Sequence, residues 1–306
     1  MQNKFIVSSS PHLHTPDSTG GIMFDVIIAL LPATIYGMII FGYRAALMVL
    51  VSIASAVLSE FVWNKLTKKE NSLTDLSAVV TGLLLALNLP SSLPLWMAAV
   101  GSAIAIIVIK QMFGGLGQNF VNPAIAARIV LLVSFPAAMT KFYEPFGEIV
   151  SSATPLAAEA GTYHLKDLLL GMHAGSIGET SALLLLIGGI YLMLRRVIAP
   201  TIPVCFIGTV FIFSLILGVD PFAAILSGGL FLGAFFMATD YVTSPAIPLG
   251  QVIFGVGCGL LTVIIREFAA LPEGVSYAIL LMNILVPHIN HLTARKPFGT
   301  EAAKDE

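Results

Sequence analysis

Long apolar runs, separated by short polar or proline-bearing stretches, dominate the chain. Ten apolar segments span residues 23–41, 44–64, 73–89, 94–113, 122–139, 180–198, 201–218, 221–238, 247–269 and 275–292. Several reach the roughly 20 residues a helix needs to cross a bilayer. The expected fold is all-α: a polytopic membrane protein of about ten transmembrane helices. Its parts are an N-terminal arm (1–22), five segments (23–139), a long polar loop (140–179), five more segments (180–293) and a tail (294–306).

The two sets of five look related. Ala78-Val79-Val80-Thr81-Gly82-Leu83 pairs with Ala224-Ile225-Leu226-Ser227-Gly228-Gly229, and Asp75 and Asp220 precede them. Each then runs into a proline-broken stretch, Asn88 to Pro94 and Thr239 to Pro248. An odd number of segments per set gives the sets opposite orientation, hence two inverted five-helix repeats. Matched breaks in inverted halves point to a midplane binding site. Broken backbone at that depth must be satisfied by protein or line a cavity. Chance similarity among Gly/Ala/Leu-rich helices is the competing explanation.

Composition agrees: 57% of the 306 residues are hydrophobic, 10% are charged, and mean hydropathy is +0.93. Soluble domains carry about 25% charged residues. The first twenty residues, with Pro11, His12, His14 and Asp17, lack the apolar core of a secretory signal and read as a cytoplasmic arm. With that arm inside, Lys4, Lys65, Lys68, Lys69, Lys110, Arg128, Arg195, Arg196, Arg295, Lys296 and Lys304 fall inside or near it. Only Arg44, Lys141, Lys166 and Arg266 fall outside. Both termini are then cytoplasmic, and the 140–179 loop faces outward. The net charge of −2 says little about partners; the bilayer is one, and no nucleic acid is expected. Cys205 and Cys258 lie far apart in apolar segments and read as small buried hydrophobes.

Candidate chemistry is sparse. Ser151-Ser152-Ala153-Thr154-Pro155-Leu156 in the outer loop is a small, hydroxyl-bearing stretch that can accept a covalent modification, and equally ordinary loop filler. Gly114, Gly115 and Gly117 permit either close backbone approach to a ligand or a tight turn with helix packing. Asn119 and Asn122 can each cap the fifth helix or bond a ligand, and Asn122, ahead of Pro123, suits the cap better. Arg128, about one and a half turns into the fifth segment, needs a partner, a cavity or the interface. Asp240 and Thr243 in the second break suit either a ligand or cation site or a helix end. Glu179 and Thr180 open the sixth segment, where an acid suits the helix dipole. Asp25, Glu60, Asp75 and Asp220 read as solvated interfacial carboxylates. Phe235 and Phe236 read as packing or as a gate. His288 and His291 share a helix face but lack a third metal ligand.

Five blocks together resemble the RnfD/NqrB family, membrane subunits of ion-translocating electron-transfer complexes. They are Phe113 to Ala124, Ser151 to Leu156, Gly178 to Ser181 leading to Ile187-Gly188-Gly189, Phe236 to Pro245, and Pro272 to Val275 followed by Met282-Asn283. The short arm before the first helix resembles RnfD more than NqrB. The resemblance implies FMN bound covalently to Thr154 through a phosphoester, beside Ser151 and Ser152 and near Glu179 and Thr180. A threonine hydroxyl is a poor nucleophile, so a separate flavin transferase must activate it. Ser152 stands where the family usually has glycine, which matters if that backbone needs positive φ. The resemblance also implies a second, non-covalent flavin such as riboflavin within the bundle. Asn119, Arg128, Asp240 and Thr243 are further cofactor-site candidates; Arg128 can stabilise a reduced, anionic flavin or equally snorkel to the cytoplasmic headgroups. It implies a bacterial cell (inner) membrane location and, as partners, the A, B, C, E and G subunits of the complex, with the flavoprotein G subunit on the outer face. The implied activity is ferredoxin:NAD electron transfer coupled to Na+ or H+ translocation. A solute transporter or channel on the same scaffold, or a quinone-reducing NqrB-like subunit, are the alternatives.

Overall fold

The computed structural model describes residues 18–68, 72–146, 151–152, 164–179, 181–269 and 274–294. Helix α1 (Thr19–Phe41) starts at Ser18, whose hydroxyl accepts from the amide of Gly21. It ends at Gly42, whose φ of 72° turns the chain directly into α2 (Tyr43–Thr67). A single 3-10 turn then leads to α3 (Ser77–Leu87), where Asp75 accepts from both the amide and hydroxyl of Ser77. Chain 88–94 breaks the helix before α4 (Leu95–Ala103), which continues as a π-helix over Ile104–Gln111. Gly114, Gly115 and Gly117 all have positive φ, so the glycine run works as a tight turn. Helix α5 (Pro123–Ser134) and the short α6 (Pro136–Met139) follow.

The loop holds a two-residue antiparallel pair, β1 (Phe142–Tyr143) with β2 (Ser151–Ser152), and α7 (Leu165–Leu170). Ser152 is opposite Phe142 in extended backbone, which serine adopts freely, so its substitution for glycine causes no conflict there. Thr154 and Thr180 lie outside the described residues. Helices α8 (Ala182–Leu194), α9 (Thr201–Ile216) and α10 (Pro221–Leu226) come next. Gly228 and Gly229, with φ of 67° and 68°, separate α10 from α11 (Leu230–Leu232), which runs into a second π-helix over Gly233–Met237. After the break at 238–247 come α12 (Pro248–Phe268) and α13 (Gly274–Thr293).

Each apolar segment read from the sequence thus becomes helix, although several are shorter or broken. Among the described residues α1, α2, α12 and α13 are long and apolar enough to cross a membrane. Helix α1 packs on α8, α2 on α3 and α4, and α12 on both α9 and α13; α5 meets α13. Small residues allow close approach. A Cβ at Gly188 would strike the carbonyl of Ala29, and one at Gly189 the ring of Phe235. One hydrophobic core runs through both parts of the chain.

The end of the 140–179 loop is buried, from His173 to Glu179. It lies against the first break: the amides of Ile177 and Gly178 donate to the carbonyls of Leu89 and Leu87 at 3.1 and 2.7 Å. Polar backbone exposed by the broken helix is thereby satisfied within the protein.

Candidate functional site

Two polar regions stand out within the apolar bundle. The first is a cavity of about 220 Å³. Its largely apolar lining includes Ile22, Val26, Val80, Leu84, Phe235 and Phe236; among its polar lining residues are Ser77, Thr81, Lys110, Asn119, Asn122 and Asp240. Three of the sequence candidates, Asn119, Asn122 and Asp240, therefore share one cavity. Thr243 stands directly behind, its hydroxyl donating to Asp240 Oδ2 at 3.2 Å.

Local chemistry places these groups. Asn122 caps α5, accepting from the amides of Ala124 and Ile125 at 3.0 and 3.3 Å, while Pro123 takes the first helical position. The Asn122 side-chain nitrogen donates to Met237 O; with the Asn283 amide turned as its neighbours require, the Asn122 backbone amide donates to the Asn283 side-chain oxygen and the Asn283 nitrogen donates to Thr243 O. The start of α5, the end of the second π-helix, the second break and α13 are tied together in this way. Asn119 donates to Val121 O at 3.0 Å. Asp240 also accepts from the amide of Val242, so it serves its own turn while lining the cavity.

One of these lining residues, Lys110, belongs to a buried ion pair that the sequence did not reveal. Glu60, read as a solvated interfacial carboxylate, has no exposed surface. It accepts from Lys110 Nζ at 3.1 and 3.2 Å, from Gln111 at 2.9 Å and from Ser72 at 2.7 Å. Lys110 spends its remaining donor on Ser77 Oγ at 2.6 Å. The groups come from α2, the turn before α3, α3 itself and the π-helical end of α4, and Glu60 and Lys110 are fifty positions apart in sequence. No local pattern links Glu60 to Lys110; the one available signal is a lone charge of each sign inside apolar runs.

The second polar region is built on Arg128, which is 2% exposed and does not snorkel. Its Nε donates to Asn88 O in the first break at 3.0 Å, one terminal nitrogen to Ser276 Oγ of α13, and the other lies 3.5 Å from Glu179. Glu179 precedes α8 rather than opening it; Ser181 is the cap, accepting from the amide of Leu184. The acid instead sits against Gly229, where a Cβ would meet its carboxylate, and accepts from the amide of Ser176. Arg266 fills the Gly228–Gly229 break, donating to the carbonyls of Ala224, Ser227 and Gly228 at 2.7, 3.1 and 3.2 Å. Burial holds His173, in the loop end beside this cluster, below the ordinary histidine pKa.

Other acids also have structural work that their interfacial reading missed. Asp25 accepts from Tyr191 and Arg195, tying α1 to α8. Asp75 and Asp220 cap the starts of α3 and α10.

Residues 6–299 match the model of the NQR2, RnfD, RnfE family. The chain is similar to the D subunit of the Na(+)-translocating ferredoxin:NAD(+) oxidoreductase complex of Acetobacterium woodii, at 49% identity, covering 98% of this chain and 97% of that one. It is 42% identical to the D subunit of the proton-translocating ferredoxin:NAD(+) oxidoreductase complex of Clostridium ljungdahlii, with the same coverage of 98% and 97%. The D subunit of the ion-translocating oxidoreductase complex of Stutzerimonas stutzeri is 38% identical, with 93% of each chain covered.

Proposed function

The chain belongs to the NQR2, RnfD, RnfE family, and from that premise we propose that it is the flavin-bearing membrane subunit of an Rnf-type electron-transport complex. In this reading it relays electrons through FMN attached covalently to Thr154, within a complex that couples ferredoxin:NAD electron transfer to Na+ or H+ translocation. A flavin transferase makes the link on the outer face, where the flavoprotein G subunit is the neighbouring electron partner; the A, B, C and E subunits complete the assembly. Relatives matched over nearly their whole length carry names of this type. The basic-residue bias also supports the orientation. Lys110 and Arg128 are buried and drop out of the count, and the remaining basic residues still favour cytoplasmic termini by nine against Arg44, Lys141, Lys166 and Arg266.

The observation that carries the reading within the bundle is the cavity that gathers Asn119, Asn122 and Asp240 from separate sequence blocks. A flavin ring has apolar faces and a polar edge of carbonyl and N–H groups, and the cavity's largely apolar lining carries a few amide, hydroxyl and carboxylate side chains able to meet such an edge. We assign to it the second, non-covalent flavin: Asn119 and Asn122 supply amide groups, Asp240 an acceptor braced by Thr243, and Phe235 and Phe236 an apolar wall. When bound, a flavin supplies one-electron chemistry; the protein supplies position, exclusion of water and electrostatics. Arg128 and Glu179 stand outside this cavity lining and hold the backbone on which the outer loop sits.

The solute-transporter reading shares the broken helices but calls for no flavin on the outer loop. Flavin fluorescence of the chain in a denaturing gel, after co-expression with a flavin transferase, separates the two. The wild type is expected to fluoresce and Thr154→Val to be dark. A dark wild type beside a labelled control substrate removes the covalent-flavin reading.

A further inference from the structure

The Glu60–Lys110 pair presents its two ends unequally. Lys110 and Ser77 line the cavity; Glu60 does not, and stands behind them, buried and held by Gln111 and Ser72. All three ammonium hydrogens of Lys110 are used, two on Glu60 and one on Ser77, so the group is fixed in place and does not swing into the cavity to bond a ligand. What reaches the cavity is its field, from the positive end of the pair, across low-dielectric protein where charge acts strongly. The amino-terminal end of α5 adds the positive end of a helix dipole at the same cavity, since Asn122, Pro123 and Ala124 also line it. The negative group at the cavity, Asp240, is partly offset by the hydrogen bonds it accepts from Val242 and Thr243.

A buried charge pair is costly, and a well-packed apolar replacement is often as stable. A lysine anchored with its counter-ion turned away from a cavity therefore suggests a use for the charge. We infer that Lys110, held by Glu60, is the charge-compensating residue of the cavity: it stabilises the negative charge that one-electron reduction places there and so raises the potential of the bound flavin. One electron enters from a one-electron donor, one negative charge is gained, no bond forms or breaks, and no proton moves. The inference rests on the assignment of a flavin to this cavity.

The test uses the full-length chain in detergent, carrying Thr154→Val so that only non-covalent flavin remains. Flavin is first quantified after acid extraction, then titrated spectroscopically with dithionite and mediators. Two variants are compared: Glu60→Gln with Lys110→Met, which removes both charges and orphans neither, and Lys110→Arg, which keeps the positive charge. The double variant is expected to keep its flavin but titrate at lower potential, its reduced-to-oxidised ratio at a fixed potential falling roughly tenfold. Lys110→Arg is expected to titrate near the wild type. A double variant that titrates with the wild type overturns the inference. So does a Lys110→Arg variant that titrates with the double variant, or loss of flavin from the double variant in the oxidised state, which would make the pair structural. Absence of extractable flavin from the parent chain overturns the cavity assignment itself, a failure visible before any titration.

Discussion

The two buried charge clusters are organised in opposite ways. Around Glu60 and Lys110 the contacts are side chain to side chain, and all come from α2, α3, the end of α4 and the turn before α3. Around Arg128 they cross the molecule: a carbonyl in the first break, a hydroxyl on α13 and an acid ahead of α8. Arg266 likewise bonds backbone carbonyls freed by a helix break. A cluster confined to one region is a charge holder, and its members can be exchanged together. A cluster spanning breaks is a fastener, and its removal takes away the bonds that hold those backbone carbonyls.

Arg128→Met should be the most damaging change, costing about 5 kcal/mol because Glu179, Ser276 and the Asn88 carbonyl all lose a buried partner. Thermal unfolding of the detergent-solubilised chain checks it; a loss under about 1 kcal/mol would erase the distinction between holder and fastener. Lys110→Met alone should cost about 3 kcal/mol by stranding Glu60, and adding Glu60→Gln should recover most of it. No such recovery is expected for Arg128→Met combined with Glu179→Gln, because the bonds to Asn88 and Ser276 stay lost. A double-mutant cycle on each pair measures the contrast directly. Asn122→Ala should cost about 1–2 kcal/mol, more than Asp220→Ala, because its side chain also reaches Met237; paired unfolding midpoints test the order.

The smallest expected effect is pH-dependent and confined to the loop end beside Glu179. His173 has a lowered folded pKa, so protonation favours release of the loop end. Its stabilising contribution is complete above the unfolded value of about 6.5 and is lost as pH falls below it. Hydrogen exchange at Ile177 and Gly178 should speed up modestly, by less than about tenfold, between about pH 7.5 and 5.5, after correction for intrinsic rates. His173→Gln should flatten that response, and the amides around Glu60 should not share it.

Much of the helix layout was legible because bilayer-length apolar runs and caps are local signals. Asn122-Pro123 announced the start of α5, and Asp75 and Asp220 stood at helix starts even though their surroundings suggested no more than solvated carboxylates. The π-helices at Ile104–Gln111 and Gly233–Met237 were not legible, because one extra residue per turn leaves apolar composition unchanged. The two glycine-bearing motifs looked alike in sequence yet diverge in space. Gly82 stays helical against Ile53, Ala56 and Ser52, whereas Gly228 and Gly229 break their helix around Arg266. Asn119, Asn122 and Asp240 were each identifiable, but their meeting in one cavity depends on packing between distant segments. The burial of Glu60 was hidden for the same reason: its partner is remote in sequence. Thr154 rests on its motif, as does Thr180.

The pairing of Ile177 and Gly178 with Leu89 and Leu87 also sets a clock on biogenesis. Those two carbonyls emerge from the ribosome long before the amides that will satisfy them. At about 5–20 residues per second, the stretch from Leu89 to Ile177 takes roughly 4–18 s to synthesise. Throughout that interval the nascent chain carries a broken, unsealed helix. Its early fate therefore depends on what shelters Leu87 to Pro90 until the 140–179 loop has been made and has turned back to close the seam.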